Sequence, residues 1–289
     1  MEDVMADEIK DGTENSSYGG MDRREFLAKL AAVAGGTAAA AVLVPASTGP
    51  GTAGQIVPAN HPNLETGYVT YPTEGGEMRA YSAKPRGAAK LAGVIVVHEN
   101  RGLNPHIEDI ARRVALEGYH AIAPDALTPL GGTPQDADQA RDLFGKLDRA
   151  ATTKNFVAAV AYLKTGPQAT GKVACMGFCW GGGVTNQVAV NAPDLTAAVP
   201  FYGAQPAPED VSKIKAAMLI HYAGEDARIN AGIPAFEEAL KKAGVEYAIH
   251  MHDGAQHGFM NDTSPRYDKG AAEMAWVWTV AFLAEKLKK

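Results

Sequence analysis

The 289-residue sequence contains only two cysteines, Cys175 and Cys179, which excludes a small scaffold held by many disulfides. Basic side chains (27) are fewer than acidic ones (33), so the formal net charge is −6 and the composition predicts no nucleic-acid partner. Charged residues make up 21 % and apolar residues 46 % of the chain, a balance that excludes a disordered protein. We therefore expect a globular protein of one large domain or two small ones.

The chain also lacks an apolar run near its N-terminus that is long enough to span a membrane. The uncharged run Leu30–Val44 is shorter than the ~20 residues of a span, and it follows the pair Arg23 and Arg24. A charged start, an apolar middle and small residues are typical of a removable secretory signal, and the arginine pair resembles the twin-arginine type. We expect residues 1–46 to be a leader and signal peptide and residues 47–63 a linker. The alternative is an N-terminal membrane anchor.

This signal predicts an exported protein, periplasmic or extracellular, that meets the twin-arginine export machinery transiently. After processing, no stable membrane span is expected.

Apolar β-branched segments alternate with amphipathic segments along the rest of the chain. The predicted strands are Gly93–Val97, His120–Ala123, Val173–Met176, Ala197–Phe201, Ala217–Tyr222 and Tyr247–Met251. The predicted helices are Ile107–Glu117, Gln135–Leu147, Thr152–Leu163, Gly183–Val190, Ala235–Ala243 and Tyr267–Leu287. Such alternation predicts βαβ units around a mostly parallel sheet, with an antiparallel hairpin formed by Thr66–Tyr71 and Met78–Ala83. We predict one doubly wound α/β domain over residues 64–289.

The segment Gly177-Phe-Cys-Trp-Gly181 lies between a predicted strand and a predicted helix. Its spacing is that of the G-x-S-x-G nucleophile elbow of α/β-hydrolases, with Cys179 in place of serine. Glycine at both ends removes side chains where the backbones of strand and helix crowd. The helix dipole at this position favours the thiolate over the thiol. A phosphate-binding loop and two inert buried cysteines remain as alternatives, although no phosphate-loop motif has the right spacing.

A cysteine nucleophile needs a base and a group that orients the base, in the chain order nucleophile, acid, histidine. Asp226 follows the strand that ends at Tyr222, and Glu225 is the alternative. His257 lies in a glycine-flanked loop after the next strand. We predict that Cys179 is the nucleophile, His257 the base and Asp226 its orienting carboxylate.

Three further side chains are open to more than one interpretation. Glu99 follows a core strand, so it is either a surface carboxylate or a neighbour of the nucleophile that alters its protonation. His250 and His252 share one strand face, but the sequence offers no third ligand beside them. We expect neither a metal nor an organic cofactor.

Together these residues resemble the dienelactone hydrolase (carboxymethylenebutenolidase) family from about Leu64 to Lys289. The motifs that carry the resemblance are His98-Glu99, Ala123-Pro-Asp125, Gly177-Phe-Cys179-Trp-Gly-Gly182, Phe201-Tyr-Gly203 and His257-Gly-Phe259. The resemblance implies an α/β-hydrolase fold with helices on both faces of the sheet, and a Cys179–Asp226–His257 triad. It also implies that Glu99 holds the resting thiol and takes its proton, and that the backbone N–H groups of Trp180 and Asn100 form the oxyanion hole.

The sequence departs from the family at the substrate. Family members that act on dienelactone bind its carboxylate with two arginines, and the corresponding stretches here, Pro124–Pro129 and His257–Asn261, contain none. A buried carboxylate without a cationic partner is disfavoured, so dienelactone itself is not the expected substrate. Arg101, Tyr202 and Asn261 are the remaining candidates for contact with the substrate.

The sequence as a whole predicts a hydrolase that cleaves a small ester or lactone through a thioester on Cys179. Acyl transfer at the same site is the nearest alternative. A thiol redox protein and a non-catalytic binding protein are the alternatives from other classes. Cys175 is poorly placed as a resolving thiol, and the ordered set of three triad residue types argues against a decayed site.

Overall fold

The computed structural model describes residues 56–288, so the predicted leader and signal, and residues 47–55 of the predicted linker, lie outside the described residues. The strands are β1 (Leu64–Thr73), β2 (Gly76–Pro85), β3 (Leu91–Val97), β4 (His120–Pro124), β5 (Ala169–Phe178), β6 (Ala197–Phe201), β7 (Ala217–Glu225) and β8 (Tyr247–Gln256). The α-helices are α1 (Pro105–Leu116), α2 (Ala137–Phe144), α3 (Arg149–Thr165), α4 (Trp180–Asn191), α5 (Ala227–Asn230), α6 (Ile233–Ala243) and α7 (Lys269–Leu287). None of the helices within this range is long and apolar enough to cross a membrane.

The strands form one eight-stranded sheet in the order β1-β2-β4-β3-β5-β6-β7-β8. From β4 to β8 every neighbouring pair is parallel, while β1 and β2 form the predicted antiparallel hairpin at one edge. β3 lies in the middle of the sheet, and all seven of its residues are buried because helices cover both of its faces.

Helices pack on both faces of the sheet, as the doubly wound prediction requires. On one face, α1 and α7 contribute apolar side chains such as Ile107 and Leu283 to the core. On the other face, α3, α4 and α6 contribute Phe156, Val188 and Leu240. This arrangement is a mostly parallel α/β sandwich, which confirms the predicted fold class.

Several elements extend beyond the boundaries that the sequence predicts. β5 continues to Phe178, β7 to Glu225 and β8 to Gln256, because backbone pairing persists where the apolar pattern has already ended in glycine and polar residues. α4 begins at Trp180 and not at Gly183, since the glycines after the elbow weaken the helical pattern without preventing the helix. These extensions matter because they carry the strand ends to the candidate site.

The described end of the predicted linker packs against the domain. Val57 is 6 % exposed, its N–H donates to Asp109 Oδ1 at 2.7 Å, and its C=O accepts from Arg112 Nε at 2.6 Å. Asp109 and Arg112 lie on α1 and are both fully buried. The backbone of Val57 therefore helps to satisfy a buried charge pair, which makes residue 57 part of the domain core.

Three histidines form a cluster between β7, β8 and α7, in which His221 and His252 are buried and His250 is half-buried. His221 Nδ1 lies 3.1 Å from His252 Nε2, and His221 Nε2 lies 3.3 Å from Thr279 Oγ1. The ring of His250 stacks on Trp278 with centroids 3.8 Å apart. Among residues 56–288, no group of three or more potential ligands is arranged to hold a metal ion.

We expect this cluster to make the fold less stable in acid. Burial lowers the pKa of His250 and of His252 to about 4, whereas a histidine in the unfolded chain titrates near ~6.5. Between these values the unfolded state binds more protons, so the free energy of unfolding decreases as the pH falls through that window. His252→Gln should reduce this slope by up to about one proton in urea unfolding curves.

The control for this experiment is His61→Gln, which alters a histidine in a turn outside the cluster. The interpretation fails if the two variants change the slope of unfolding free energy against pH by the same amount.

Candidate active site

The site lies along one edge of the sheet, where four parallel strands end. Cys179 directly follows β5, Asp226 follows β7 and His257 follows β8, while Glu99 lies two residues beyond β3. Carboxyl ends of parallel strands meet at a common edge, which is where ligand sites of such sheets gather. The topology therefore brings together side chains that are far apart in sequence.

Cys179 occupies a strained turn between β5 and α4. Its φ of 56° and ψ of −115° lie outside the conformations that side-chain-bearing residues normally adopt. A Cβ atom on Gly177 would lie 2.3 Å from Gly181 O, and one on Gly181 would lie 2.4 Å from His98 O. Both glycines are therefore required by the close approach of backbones, as the sequence predicted.

The sulfur, the imidazole and a buried carboxylate form a continuous line of contacts. His257 Nε2 lies 2.9 Å from Cys179 Sγ, and His257 Nδ1 lies 2.5 Å from Asp226 Oδ2. An ionised carboxylate can only accept, so Nδ1 carries the proton and Nε2 is left to accept one from the thiol. Asp226 is buried, whereas Glu225 is exposed at the end of β7.

The thiol is protonated in the resting site, contrary to the expectation from the helix dipole. Burial, and then the charge of Glu99, raise the pKa of Cys179 to about 11. The Trp180 N–H and the charges of Arg228 and Arg266 act in the opposite direction, but they do not compensate for burial. The helix N-terminus therefore does not by itself produce a thiolate, and deprotonation requires a base within reach.

Glu99 makes a different contact from the one that the family resemblance implies. Its Oε2 accepts a hydrogen bond from Asn261 Nδ2 at 2.6 Å, and the hydrogen bond of the Cys179 thiol is with His257. Asn261 is one of the predicted substrate contacts, and its side-chain amide already donates to Glu99.

One backbone N–H group of the predicted oxyanion pair lies at the sulfur. The Trp180 N–H, at the first residue of α4, points to Cys179 Sγ, and the Trp180 ring stacks on His98 at 5.4 Å. Within residues 56–288, no carbonyl accepts a hydrogen bond from the N–H of either Trp180 or Asn100. A donor at a helix N-terminus, such as the Trp180 N–H, is suited to a developing negative charge.

Tyr202 and Arg101 differ in their relation to the triad. Tyr202 follows β6 with a φ of 37°, and its ring centroid is 5.1 Å from that of His257. Its hydroxyl is buried and faces the Met260 N–H, no acceptor takes its own proton, and burial raises its pKa, so it remains a neutral donor. The guanidinium of Arg101 instead binds Ala137 O and Asp138 Oδ1 of α2, both at 3.0 Å.

Sequence reasoning did not single out Arg228 and Arg266, whose charges lower the pKa of Cys179. Arg228 lies two residues after Asp226, so its place in the sequence could have indicated that it lies near the site. Arg266 lies in the loop after His257, and its guanidinium atoms come within 3.8–4.0 Å of where a Cβ of Gly258 would be. Only the folding of that loop onto itself reveals this proximity.

A strained strand-to-helix turn at the edge where parallel strands end, in a sheet covered by helices on both faces, places the protein in the α/β-hydrolase class. Solved structures of the same fold include Pyrococcus horikoshii acylaminoacyl peptidase, with a TM-score of 0.60 and 19 % identity over 78 % of this chain and 42 % of that one. The sequence profile described as "Dienelactone hydrolase family" matches residues 78–287. The chain belongs to the dienelactone hydrolase family, and it is a carboxylic ester hydrolase.

Relatives and solved structures agree with this assignment. A protein of Saccharolobus solfataricus named as a carboxymethylenebutenolidase is 36 % identical over 251 residues, which cover 74 % of this chain and 96 % of that protein. An Escherichia coli K12 protein of the same name is 32 % identical over 240 residues, covering 78 % and 88 %. A protein of Klebsiella pneumoniae designated a dienelactone hydrolase superposes with a TM-score of 0.70 and 28 % identity, covering 77 % and 99 %.

Proposed function

We propose that the protein hydrolyses a small ester or lactone through a Cys179–His257–Asp226 triad and a thioester intermediate. The supporting observation is the line of contacts from sulfur to imidazole to buried carboxylate, at 2.9 and 2.5 Å. A protonated thiol beside an unprotonated Nε2 is the arrangement that general-base activation of a nucleophile needs.

In the first half of the reaction, His257 Nε2 takes the thiol proton as Cys179 Sγ attacks the substrate carbonyl carbon. The N–H groups of Trp180 and Asn100 donate to the oxyanion of the tetrahedral intermediate. As the intermediate collapses, the C–O bond to the leaving group breaks and His257 returns the proton to the alcohol oxygen. The acyl group remains on sulfur as a thioester.

In the second half, water replaces the alcohol. His257 Nε2 takes a proton from water while the water oxygen attacks the thioester carbonyl carbon. Collapse breaks the C–S bond, the acid leaves, and His257 returns the proton to sulfur. Throughout the cycle Asp226 keeps a proton on His257 Nδ1, and it balances the positive charge of the imidazolium when that forms.

The substrate that we propose is an ester or lactone other than dienelactone. Relatives carry the name carboxymethylenebutenolidase, but neither family arginine is present in Pro124–Pro129 or His257–Asn261. Tyr202 is a candidate for a polar contact with the substrate, because its ring centroid lies 5.1 Å from that of His257 and its hydroxyl is buried.

For localisation, we propose export by the twin-arginine route to the periplasm or the extracellular space. The support is the sequence of residues 1–46 alone, and N-terminal sequencing of protein recovered outside the cytoplasm tests it.

The test of the proposed chemistry is hydrolysis of short p-nitrophenyl esters by the wild-type protein and by two cysteine variants. Cys179→Ala should lower kcat on the order of 10⁴-fold or more, because the attacking atom is lost. Cys175→Ala removes the other, fully buried cysteine and should retain activity. Iodoacetamide should inactivate the wild type and the Cys175→Ala variant together.

The outcomes separate the alternatives. Equal cleavage by wild type and Cys179→Ala would contradict the mechanism. Recovery of acyl product on an added alcohol in preference to free acid would identify an acyltransferase, and peroxide-dependent loss of the thiol without ester cleavage would indicate a redox protein.

A further inference from the structure

His98 is a buried histidine beside the candidate site that the proposed mechanism does not use. Its side chain is fully buried, and it directly follows Val97, the last residue of β3. The ring stacks on that of Trp180 at 5.4 Å with 10° between the planes, and the Phe144 ring packs edge-on at 5.7 Å. The imidazole therefore contacts the start of α4 and the end of α2, and its two nitrogens must find their partners away from water.

The two hydrogen-bond partners of the His98 ring define its tautomer. His98 Nε2 lies 3.1 Å from the backbone N of Ala126, whose N–H can only donate, so Nε2 carries no proton. The proton is then on Nδ1, which donates to the backbone carbonyl of Glu99 at 2.7 Å. Burial lowers the pKa of His98, against the Glu99 carbonyl and the charge of Asp125, and this favours the neutral ring.

The hydrogen bond from His98 fixes the direction of one N–H group. The carbonyl of Glu99 and the N–H of Asn100 belong to the same trans peptide group, so the two bonds point in opposite directions. With the carbonyl turned to the ring, the Asn100 N–H faces away from it, and no carbonyl within residues 56–288 accepts from this N–H. The end of β3 also lies against the nucleophile turn, because a Cβ on Gly181 would lie 2.4 Å from His98 O.

The loop after β3 is fastened at its other end by Thr133. The Leu103 N–H donates to Thr133 Oγ1 at 3.0 Å, and the same hydroxyl donates to Asp125 Oδ1 at 2.7 Å. The Thr133 N–H donates to Oδ2 of this fully buried aspartate at 2.8 Å. A Cβ on Gly102 would lie 2.1 Å from Thr133 Oγ1, so the loop passes directly against the hydroxyl. Residues 99–103 are thus held at both ends by the segment that follows β4.

We propose that His98 is a positioning residue, which holds the Glu99 carbonyl through Nδ1–H and thereby keeps the Asn100 N–H directed at the oxyanion of the tetrahedral intermediate. The inference rests on the proposed function, because it assigns the Asn100 N–H to the oxyanion. His98 acts through the peptide group and does not contact the reacting atoms.

The experiment compares two substitutions of His98 that have nearly the same size. His98→Asn keeps a donor at the position of Nδ1 and His98→Leu does not, while both lose the acceptor for Ala126 and the stacked ring. On a short p-nitrophenyl ester, His98→Leu should lower kcat on the order of 10²-fold with KM unchanged, as for the loss of one oxyanion donor. His98→Asn should keep kcat at least ~tenfold above that of His98→Leu.

Two reactions of Cys179 separate positioning from general damage to the site. Alkylation by iodoacetamide forms no tetrahedral oxyanion, so its rate should stay within about twofold of the wild type in both variants. Trifluoroacetone forms a C–S bond to Cys179, its carbonyl oxygen becomes an oxyanion and the thiol proton passes to His257. Its inhibition constant should therefore rise on the order of 10²-fold in His98→Leu, in parallel with the loss of kcat.

Thr133 provides a second comparison if circular dichroism shows that His98→Leu is unfolded. Thr133→Ser keeps the hydroxyl between Leu103 and Asp125, and Thr133→Val removes it at nearly the same size. Thr133→Val alone should lower kcat about tenfold without a change in KM or in alkylation, because the loop is released at one end. Thr165→Val, at the exposed end of α3, is the control and should match the wild type.

Three results would overturn the proposal. Equal kcat in His98→Leu and His98→Asn would show that the donor at Nδ1 has no role. A fall in kcat that the alkylation rate follows would indicate distortion of the nucleophile turn. A rise in KM alone would make the loop a substrate contact. Failure of the proposed function is distinguished from all three, because Cys179→Ala would then itself retain esterase activity.

Discussion

Asp226→Asn should lower kcat for ester hydrolysis on the order of 10³–10⁴-fold with little change in KM. The substituted side chain keeps the size of aspartate, and Asp226 is buried, so the local packing is retained. It loses the charge that holds the proton on His257 Nδ1 at 2.5 Å, and the other tautomer points a proton at Cys179 Sγ. An Nε2 that already carries a proton cannot take one from the thiol.

The neighbouring carboxylate supplies a matched control. Glu225→Gln makes the same chemical change one residue earlier, on an exposed side chain, and should keep kcat within about twofold of the wild type. The reverse result, with Glu225→Gln inactive and Asp226→Asn active, would transfer the orienting role to Glu225. Circular dichroism of both variants verifies that each is folded.

Asp109→Ala should lower the free energy of unfolding by about 3–5 kcal/mol, the usual effect of breaking a buried ion pair. Asp109 and Arg112 are both completely buried, with Asp109 Oδ1 3.6 Å from Arg112 Nη2. Asp109 also accepts from the N–H of Val57 and from Arg113 Nε. Its removal leaves a buried guanidinium without its counter-charge and a buried N–H without an acceptor. Urea unfolding followed by tryptophan fluorescence measures the loss.

A double variant tests whether the loss comes from the uncompensated charge. Asp109→Leu with Arg112→Met replaces the pair by apolar side chains and should recover the part of the loss that comes from the uncompensated charge, while the Val57 N–H and C=O stay unpaired. Asp138→Ala, which removes an exposed partner of Arg101, should change the unfolding free energy by less than about 1 kcal/mol. A loss below that value in Asp109→Ala would contradict the assignment of a buried ion pair.

Much of the fold could be predicted from the pattern of apolar and polar residues within short segments. Alternating apolar strands and amphipathic helices predicted the parallel sheet, and the Thr66–Tyr71 and Met78–Ala83 hairpin was found in place. The strand ends were missed because backbone pairing with a neighbour, such as Glu225 with Gln256, continues where no side-chain pattern marks it. Pairing across strands is a property of the sheet and not of either segment.

The sequence by itself determined the α/β class, the elbow at Cys179 and the chain order of the three triad residue types, because each depends on spacing within a few residues or on order along the chain. It did not determine the protonation of the thiol. Burial and the charge of Glu99 raise its pKa to about 11 against the helix N-terminus, and both act through space.

Only the tertiary structure decided which side chains are partners. Arg101 turns to α2, Arg266 folds back over Gly258, and Asn261 meets Glu99 across 162 residues of sequence. These contacts depend on how loops pack on α1 and on the sheet edge. A hydrogen bond needs its atoms aligned within a few tenths of an ångström, and residue type and spacing do not fix positions that closely.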